Sequence, residues 1–509
     1  MTDPIVLIAG AGPTGLVLAL WLTKLGVKVR IIDKLAEPGT TSRALAVQAR
    51  TLEYYHQVGF DDAAVAGGVK IRNLNIWARG RRAASVSLER TGEGMTPYAF
   101  ALVFPQDAHE RLLIERLQSL GVRVERRTEL VSFAQDDGAV TAKLRLPNGK
   151  EETFVCAYLA GCDGASSVVR GQSAIGFPGG TYTGLFYVAD VVAAGEAVDR
   201  DLHVDIEDSD FILLFPLKGE GHVRLVGTVR DLSEGAQAKL TFEDVRGKAI
   251  EHLKLDVRKV NWFSTYRVHH RVANRFRDRR AFLLGDAAHI HSPVGGQGMN
   301  TGIGDAVNLA WKLASVLKKS APANLLDTYE PERIPFAQRL VATTDRGFTV
   351  VTSRGRIARV IRTRIVPLIV PFVTRLSAFR RLLFTTVSQT LVNYRKSSLS
   401  SGTAGNVHGG DRLPWVELAS GEDNFAPLTS LKWQVHVYGE VRGGVSEACA
   451  ELEIPLHAFA WEAGMQGAGI QESALYLVRP DGYVALAEPS ADYEHLRQYF
   501  VKRGLRPGG

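Results

Sequence analysis

Ile5-Val-Leu-Ile-Ala9-Gly10-Ala-Gly12-Pro-Thr-Gly15, continuing through Leu25, Gly26 and Val27–Asp33, reads as strand, tight turn, helix and strand. Ile5–Ala9 is a short apolar run, the pattern of a buried strand. Pro13–Leu25 is apolar on nearly all sides and predicts a buried helix, which Gly26 stops. The whole is a βαβ unit. Gly10 permits the tight turn, Gly12 lets the backbone approach a pyrophosphate, and Gly15 lets helix and strand pack closely. The helix N-terminus turns unpaired N–H groups and partial positive charge toward phosphates. Asp33 lies 18 residues beyond Gly15, at the end of the second strand, where its carboxylate can accept from ribose hydroxyls. The pattern points to a dinucleotide without saying which one, and a purely structural glycine turn is the competing reading.

Two further turns extend the reading. Asp163-Gly164-Ala-Ser-Ser167-Val-Val-Arg170 follows the apolar strand Tyr158–Asp163. Arg170 can sit near a phosphate or pair with Asp163, and a turn carrying a surface ion pair explains the spacing as well. Gly285-Asp286-Ala-Ala-His289-Ile-His291-Ser-Pro293-Val-Gly295-Gly296-Gln-Gly298-Met299-Asn300 follows the strand Ala281–Leu284 and runs into a helix over Met299–Leu317. Its glycines let the backbone press against a flat ligand, and the helix N-terminus favours a ligand that becomes anionic. Asp286, His289 and His291 superficially resemble metal ligands. The strand-end position and the lack of a convincing fourth ligand point to metal: none, with the histidines packed and hydrogen-bonded.

Length and composition bound the rest. At roughly 100–200 residues per domain, a 509-residue chain holds two to four domains. Cys156, Cys162 and Cys449 form no Cys-x-x-Cys pair, which argues against a disulfide framework and for a cytoplasmic protein. The N-terminus lacks the basic region and long apolar run of a signal peptide, and no run of about 18 apolar residues predicts a spanning helix. Net charge is +7, yet residues 346–410 carry ten Arg, one Lys and no acid, so the rest of the chain is net acidic. The basic character is local and does not indicate nucleic acid.

The chain divides into a nucleotide-binding α/β unit (1–180 and 268–345, with short strands in 70–105 on the substrate side) and a β-rich insertion (181–267). A basic helical segment (346–396, broken by Pro367 and Pro371), a Ser/Gly-rich linker (397–410) and a small α/β domain (411–509) follow. Glu110–Leu120 predicts a helix, and Val122–Leu146 a hairpin turning at Asp137-Gly138. Arg356, Arg359, Arg362, Arg364, Arg375, Arg380 and Arg381 interleave with Ile357, Val360, Ile361, Ile365 and Leu368, which predicts one apolar helix face within 356–384. That face either packs on the protein or a dimer partner, or touches a membrane surface or acidic partner.

The three turns together resemble the class A flavoprotein monooxygenases, the family of p-hydroxybenzoate hydroxylase and phenol hydroxylase. Ser42-Arg43-Ala-Leu-Ala-Val-Gln48-Ala-Arg50-Thr-Leu-Glu53, Pro105-Gln106 and Tyr329-Glu330-Pro-Glu-Arg333 add to the likeness, which covers about 1–345 in order and spacing. The tail, through Gly410-Asp411-Arg412-Leu-Pro414 and Leu477-Val-Arg479-Pro-Asp481-Gly482, is similar to the redox-inactive thioredoxin-like domain of phenol hydroxylases and polyketide-tailoring hydroxylases.

The resemblance implies a Rossmann-type FAD-binding domain, an inserted β-rich substrate domain and a thioredoxin-like tail. It implies that Gly10, Gly12 and Gly15 hold the FAD pyrophosphate and Asp33 the adenosine ribose. Arg43 and Gln106 line the cofactor, Asp163 serves FAD and NAD(P)H, and Asp286 binds the ribityl chain. Pro293 and Gly295–Asn300, including Gly296, Gly298 and Met299, border the isoalloxazine ring. NADPH or NADH binds transiently, and O2 reacts at the flavin to give a C4a-hydroperoxide that hydroxylates a phenolic or polyketide-like aromatic. Epoxidation or Baeyer–Villiger insertion by the same chemistry is the alternative. Halogenation is disfavoured, because no Trp-x-Trp-x-Ile pattern is seen, and a non-catalytic flavin-binding protein is the remaining reading. Tyr182, His203, Phe211 and Arg267 are the pocket candidates, no general base is named, and a homodimer is left open.

Overall fold

The computed structural model describes residues 5–39, 44–78, 80–88, 91–205, 212–229, 240–292, 296–352, 361–373 and 376–508. Ile5–Ala9 forms a strand paired in parallel with Lys28–Asp33 on one side and Tyr158–Gly161 on the other. Between the first two lies the helix Pro13–Lys24, buried from Gly15 to Leu22 as its all-round apolar sequence requires. Gly26, with φ +73°, takes the left-handed conformation that ends it. The six-stranded sheet runs Arg277–Asp278, Ala281–Leu283, Tyr158–Gly161, Ile5–Ala9, Lys28–Asp33, Val124–Arg126. The cofactor-type turns at Gly10, Asp163 and Gly285 thus leave the same ends of three neighbouring parallel strands.

An eight-stranded sheet stands beside it, in the order His289–Ile290, Asp256–Val272, Gly179–Ala194, His222–Val229, Ile212–Pro216, Leu202–Asp205, Asn73–Ala78, Arg81–Ser87. The sheet draws on more than the 181–267 stretch, including the 70–105 region expected on the substrate side. Two strands come from residues 73–87, because Leu202–Asp205 pairs in parallel with Leu74–Trp77, and the far edge is the short strand of the Gly285 loop itself. Ala46–Val47, Ala101–Val103 and Val69–Ile71 form a small antiparallel sheet of their own. Glu129–Gln135 and Val140–Arg145 form the predicted hairpin.

Other expectations shift in detail. The helix predicted from Glu110 begins at Gln106 and ends at Ser119. The helix predicted over Met299–Leu317 spans Gly298–Leu317 and is buried on every side from Asn300 to Ala314. Pro367 and Pro371 lie inside the helix Val366–Val373 instead of breaking it. The supposed linker is folded: Ser401–Ala404 and Val407–His408 are strands, and the first adds to Leu486–Ala487 of the tail sheet. Trp311, on the buried helix, meets Trp433 of the tail edge to face with ring centres 5.6 Å apart. No helix among the described residues is long and apolar enough to cross a membrane.

Candidate cofactor and substrate site

The first glycine turn is shaped by two steric limits and one opening. A Cβ on Gly10 would lie 2.2 Å from the Cys162 carbonyl oxygen, and one on Gly15 would lie 2.0 Å from the Gly10 carbonyl oxygen. Gly10 also needs φ +103°, which glycine alone adopts without strain. A Cβ on Gly12 would meet no protein atom within 4 Å. Gly10 and Gly15 are therefore glycines for the protein, whereas Gly12 faces space the chain leaves free. Asp33 Oδ2 accepts from Ala11 N at 2.8 Å and Oδ1 from Leu35 N at 2.8 Å, so its carboxylate stands directly against this turn.

The second turn abuts the first. Asp163 Oδ2 accepts from Val168 N at 2.7 Å and Val169 N at 3.2 Å, while Oδ1 is buried with no partner among the described residues. Such an oxygen costs free energy unless something donates to it. Arg170 lies within electrostatic reach of Asp163. Its guanidinium donates to Ala165 O at 2.6 Å and to Ala287 O at 2.8 Å, tying the second turn to the third.

The third turn packs on the first through Thr14. A Cβ on Gly285 would lie 2.6 Å from Thr14 Oγ1, and one on Gly302 would lie 2.3 Å from the same atom. Asp286 is exposed between buried Gly285 and Ala287. His289 is bound by Asp305, with Nε2 2.7 Å from Oδ2. No group of three or more His, Cys, Asp or Glu suited to a metal occurs among the described residues. Asn300 spends its amide on protein: Oδ1 accepts from Gln48 N at 2.9 Å and Thr51 Oγ1 at 2.8 Å, and Nδ2 donates to Ala46 O and Gly296 O at 2.9 Å each. It knits residues 46–51 to the Gly296 loop, a task the sequence reading missed. Met299 is half-buried and packs against the main core. Gly298 begins the buried helix, and Gln106 Nε2 donates to Glu110 Oε1 at 2.7 Å. Arg43, Pro293 and Gly295 lie outside the described residues.

Asp305 was not singled out by the sequence. Burial works against its charge, but Arg333 and His289 more than offset this and hold its carboxyl below the usual range. Arg333 Nε lies 2.6 Å from Asp305 Oδ1, and its other nitrogens donate to Tyr394 Oη and Thr301 O at 3.0 Å each. The Tyr329–Arg333 segment staples the core in the same manner. Tyr329 Oη donates to Leu283 O, and Glu332 takes Lys312, Asn308, Ser397 and Arg479.

The pocket candidates separate. Tyr182 is half-buried, with its ring edge on His270 at 4.8 Å, and packs with Phe186, Leu213, Tyr266 and Val268 on one face of the eight-stranded sheet. Phe215, on the same face as Leu213, packs with Leu45, Ile71 and Val103, and Ala46 touches the Gly296 loop. That face therefore looks toward the cofactor turns. Arg267 is exposed next to Tyr266 in the strand and points to the opposite face. His203 is fully buried, accepting from Trp77 Nε1 at 2.9 Å and bonded to Asp199 Oδ1 at 2.8 Å, so it offers no pocket wall. Phe211 lies outside the described residues. Leu213, Phe215 and Tyr266 are the partly exposed side chains of this face that sequence alone missed, since strand parity across a sheet is not visible in one strand. A cleft of about 1110 Å³ opens beside Phe215, which packs with three of its lining residues, Val69, Ile71 and Leu217; Lys70, Phe100 and Lys218 also line it.

The convergence of three glycine-and-aspartate turns on parallel strand ends defines a dinucleotide-type site, and the comparisons say which. Residues 3–344 match the FAD binding domain family, and the chain belongs to it. It is 35% identical over 511 residues to 6-methylpretetramide 4-monooxygenase of Streptomyces rimosus, covering 95% of this chain and 90% of that protein. It is 31% identical to pentachlorophenol 4-monooxygenase of Sphingobium chlorophenolicum, covering 82% and 76% respectively. Among solved structures, the OxyS anhydrotetracycline hydroxylase from Streptomyces rimosus superposes with a TM-score of 0.79 at 29% identity, covering all of both chains. These relatives are named monooxygenases or hydroxylases, and the chain is an FAD-family enzyme of that kind.

Proposed function

We propose that this protein hydroxylates a phenolic or polyketide-like aromatic, using bound FAD, transient NADPH or NADH, and O2. The observation that carries the reading is the meeting of Gly12's open face, the partnerless Asp163 Oδ1 and the Thr14-packed Gly285 turn at one place. Bound FAD would accept a hydride from NAD(P)H and pass one oxygen atom of O2 to the substrate ring, the other leaving as water.

The chain's own residues do the rest. Gly12 and the N-terminus of Pro13–Lys24 receive the pyrophosphate, and Asp33 and Asp286 receive sugar or ribityl hydroxyls. Asp163 Oδ1 accepts a donor from the cofactor. Leu213, Phe215 and Tyr266, backed by the buried Phe186, cover the reacting face with apolar surface and exclude water. The cleft beside Phe215 exceeds the roughly 300–1,000 Å³ of ordinary small-molecule sites, in keeping with a multi-ring substrate, and Lys70 and Lys218 suit a ring carrying an ionised phenol or acid. Support for a Rossmann-type reading comes from the parallel βαβ unit. Support for a thioredoxin-like tail comes from its sheet, in which Gln434–Tyr438 pairs in parallel with Leu456–Phe459 and antiparallel with Leu475–Val478. The domain limits stated from sequence are proposed with the tail limit moved back to include Ser401. A cytoplasmic location is part of this proposal.

The test is anaerobic mixing of the purified yellow protein with NADPH or NADH, with and without a panel of phenols. Substrate-accelerated bleaching, and on aeration a product heavier by one oxygen atom, is the expected result. Protein that takes up no FAD under any condition ends the proposal.

A further inference from the structure

Fifteen large apolar side chains are exposed among the described residues, and eleven of them fall between 361 and 391. Ile365, Leu368, Ile369 and Phe372 recur at helical spacing on the turns Ile361–Ile365 and Val366–Val373, and Phe379 and Leu382 are exposed at helical spacing on Ser377–Val387. Leu368 is 77% exposed and Phe372 68% exposed. An apolar surface this concentrated marks an interaction site.

The stripe is held out by an anchored opposite side. Phe384 is buried, with its ring where a Cβ on Gly92 would lie. Gln297 Nε2 donates to Val387 O at 2.7 Å, Gln389 Nε2 donates to Gln297 Oε1 at 2.6 Å, and Arg50 N donates to Ser388 O at 3.2 Å. The segment is thus fastened to the Gly296 loop on one side and presents apolar side chains on the other.

Charge selects the occupant. Arg364 and Arg381 are exposed and Arg380 is half-buried, and residues 346–410 contain no acid. A two-fold contact between copies sets a patch against itself, and here would set arginines against arginines with no acid within the segment to pair them. An anionic lipid surface takes both components: acyl chains receive the leucines and phenylalanines, and headgroups receive the guanidinium groups.

We propose that the exposed apolar and basic side chains of 361–373 and 376–391 dock this protein on anionic membrane surfaces, with the anchored side carrying the contact to the loop at the cofactor turns. The proposal goes beyond the hydroxylation reading and does not depend on it. The test floats full-length, flavin-loaded protein with vesicles of phosphatidylcholine alone or mixed with phosphatidylglycerol. The parent is expected to float with the mixed vesicles and to be released by salt. Arg380→Glu/Arg381→Glu is expected to lower partitioning by about tenfold or more, and Leu368→Glu/Phe372→Glu by about a hundredfold. Both variants should keep the parent's flavin content and melting temperature, since all four side chains sit outside the core. No flotation of the parent overturns the proposal. So does equal flotation of the variants, and so does a parent dimer in sedimentation velocity that Leu368→Glu/Phe372→Glu converts to monomer.

Discussion

Asp305 binds both ends of the third cofactor turn: its Oδ2 lies 3.0 Å from Gly285 N and 2.7 Å from His289 Nε2. It reaches them from the middle of the buried helix Gly298–Leu317, with Arg333 as counter-charge on Oδ1. A single carboxylate thereby fixes the loop on which Asp286 rides. Asp305→Asn leaves Arg333 buried without its anion, and breaking a buried pair costs about 3–5 kcal/mol. The expected result in chemical denaturation is a loss of that size, together with weaker FAD retention on gel filtration. A variant that holds flavin and stability at parental level removes this role.

The same carboxylate sets an acid limit. Its folded-state affinity for protons is lowered by Arg333 and His289 despite burial, whereas in the unfolded chain it titrates at about 4. Its stabilising contribution is therefore complete above that value and is lost as pH falls through the lower folded value. FAD release on acidification should be cooperative and begin below about pH 4 from this group. Asp305→Asn should release flavin more readily at neutral pH and show a flatter acid limb by flavin fluorescence.

Gly12→Ala and Gly15→Ala separate ligand space from protein space. The first adds a methyl where no protein atom lies within 4 Å, and the second adds one 2.0 Å from the Gly10 carbonyl oxygen. Gly12→Ala should fold with a parental circular dichroism melt but bind FAD at least about tenfold more weakly, the equivalent of about 1.4 kcal/mol. Gly15→Ala should lose soluble yield. Parental FAD affinity in Gly12→Ala would place the pyrophosphate elsewhere.

The tail should not be removable. Glu332 is fully buried between Lys312 and Arg479, the latter with Nη1 2.9 Å away, and Glu53 is held by Arg412 of the tail, with Nε 2.7 Å away. Arg50 also donates to Asp481 O at 2.9 Å. A chain ending at residue 396 leaves Glu53 with Arg50 alone and Glu332 with Lys312 as its one counter-charge, and breaking up a buried charge network is strongly destabilising. The expected product is insoluble or flavin-free. A soluble, yellow truncated protein would show that the tail is dispensable. Arg479→Met should lower the full chain's melting temperature, because Glu332 then keeps only Lys312 of its two buried counter-charges.

Much of the cofactor site was legible because its requirements are local. Gly10, Gly12 and Gly15 are fixed by one turn between adjacent elements, and Asp163 and Gly285 each follow their own strand. What escaped were partners supplied from far away. Asn300 bonds to Gln48, 252 residues distant, and the eight-stranded sheet recruits Asn73–Ala78 through a parallel pairing with Leu202–Asp205. His203 read as a pocket residue because a histidine in a strand pattern looks functional. Trp77 and Asp199 occupy both its nitrogens, and neither contact is visible in the strand itself. The linker reading failed because Ser/Gly composition reports local flexibility, whereas Ser401 and Gly402 are strand residues once Leu486 and Ala487 are beside them.

By itself the sequence determined the βαβ start, the three glycine-and-aspartate turns and the family they belong to. Backbone conformations such as the φ +103° of Gly10 depend on the residue at that position and its immediate neighbours. Only the tertiary structure decided which carboxylate steadies the Gly285 loop, which sheet face lines the substrate side, and that the tail is bolted to the core by buried ion pairs. Those outcomes depend on charges and side chains brought together across as many as 431 residues of chain, by packing that no local pattern encodes.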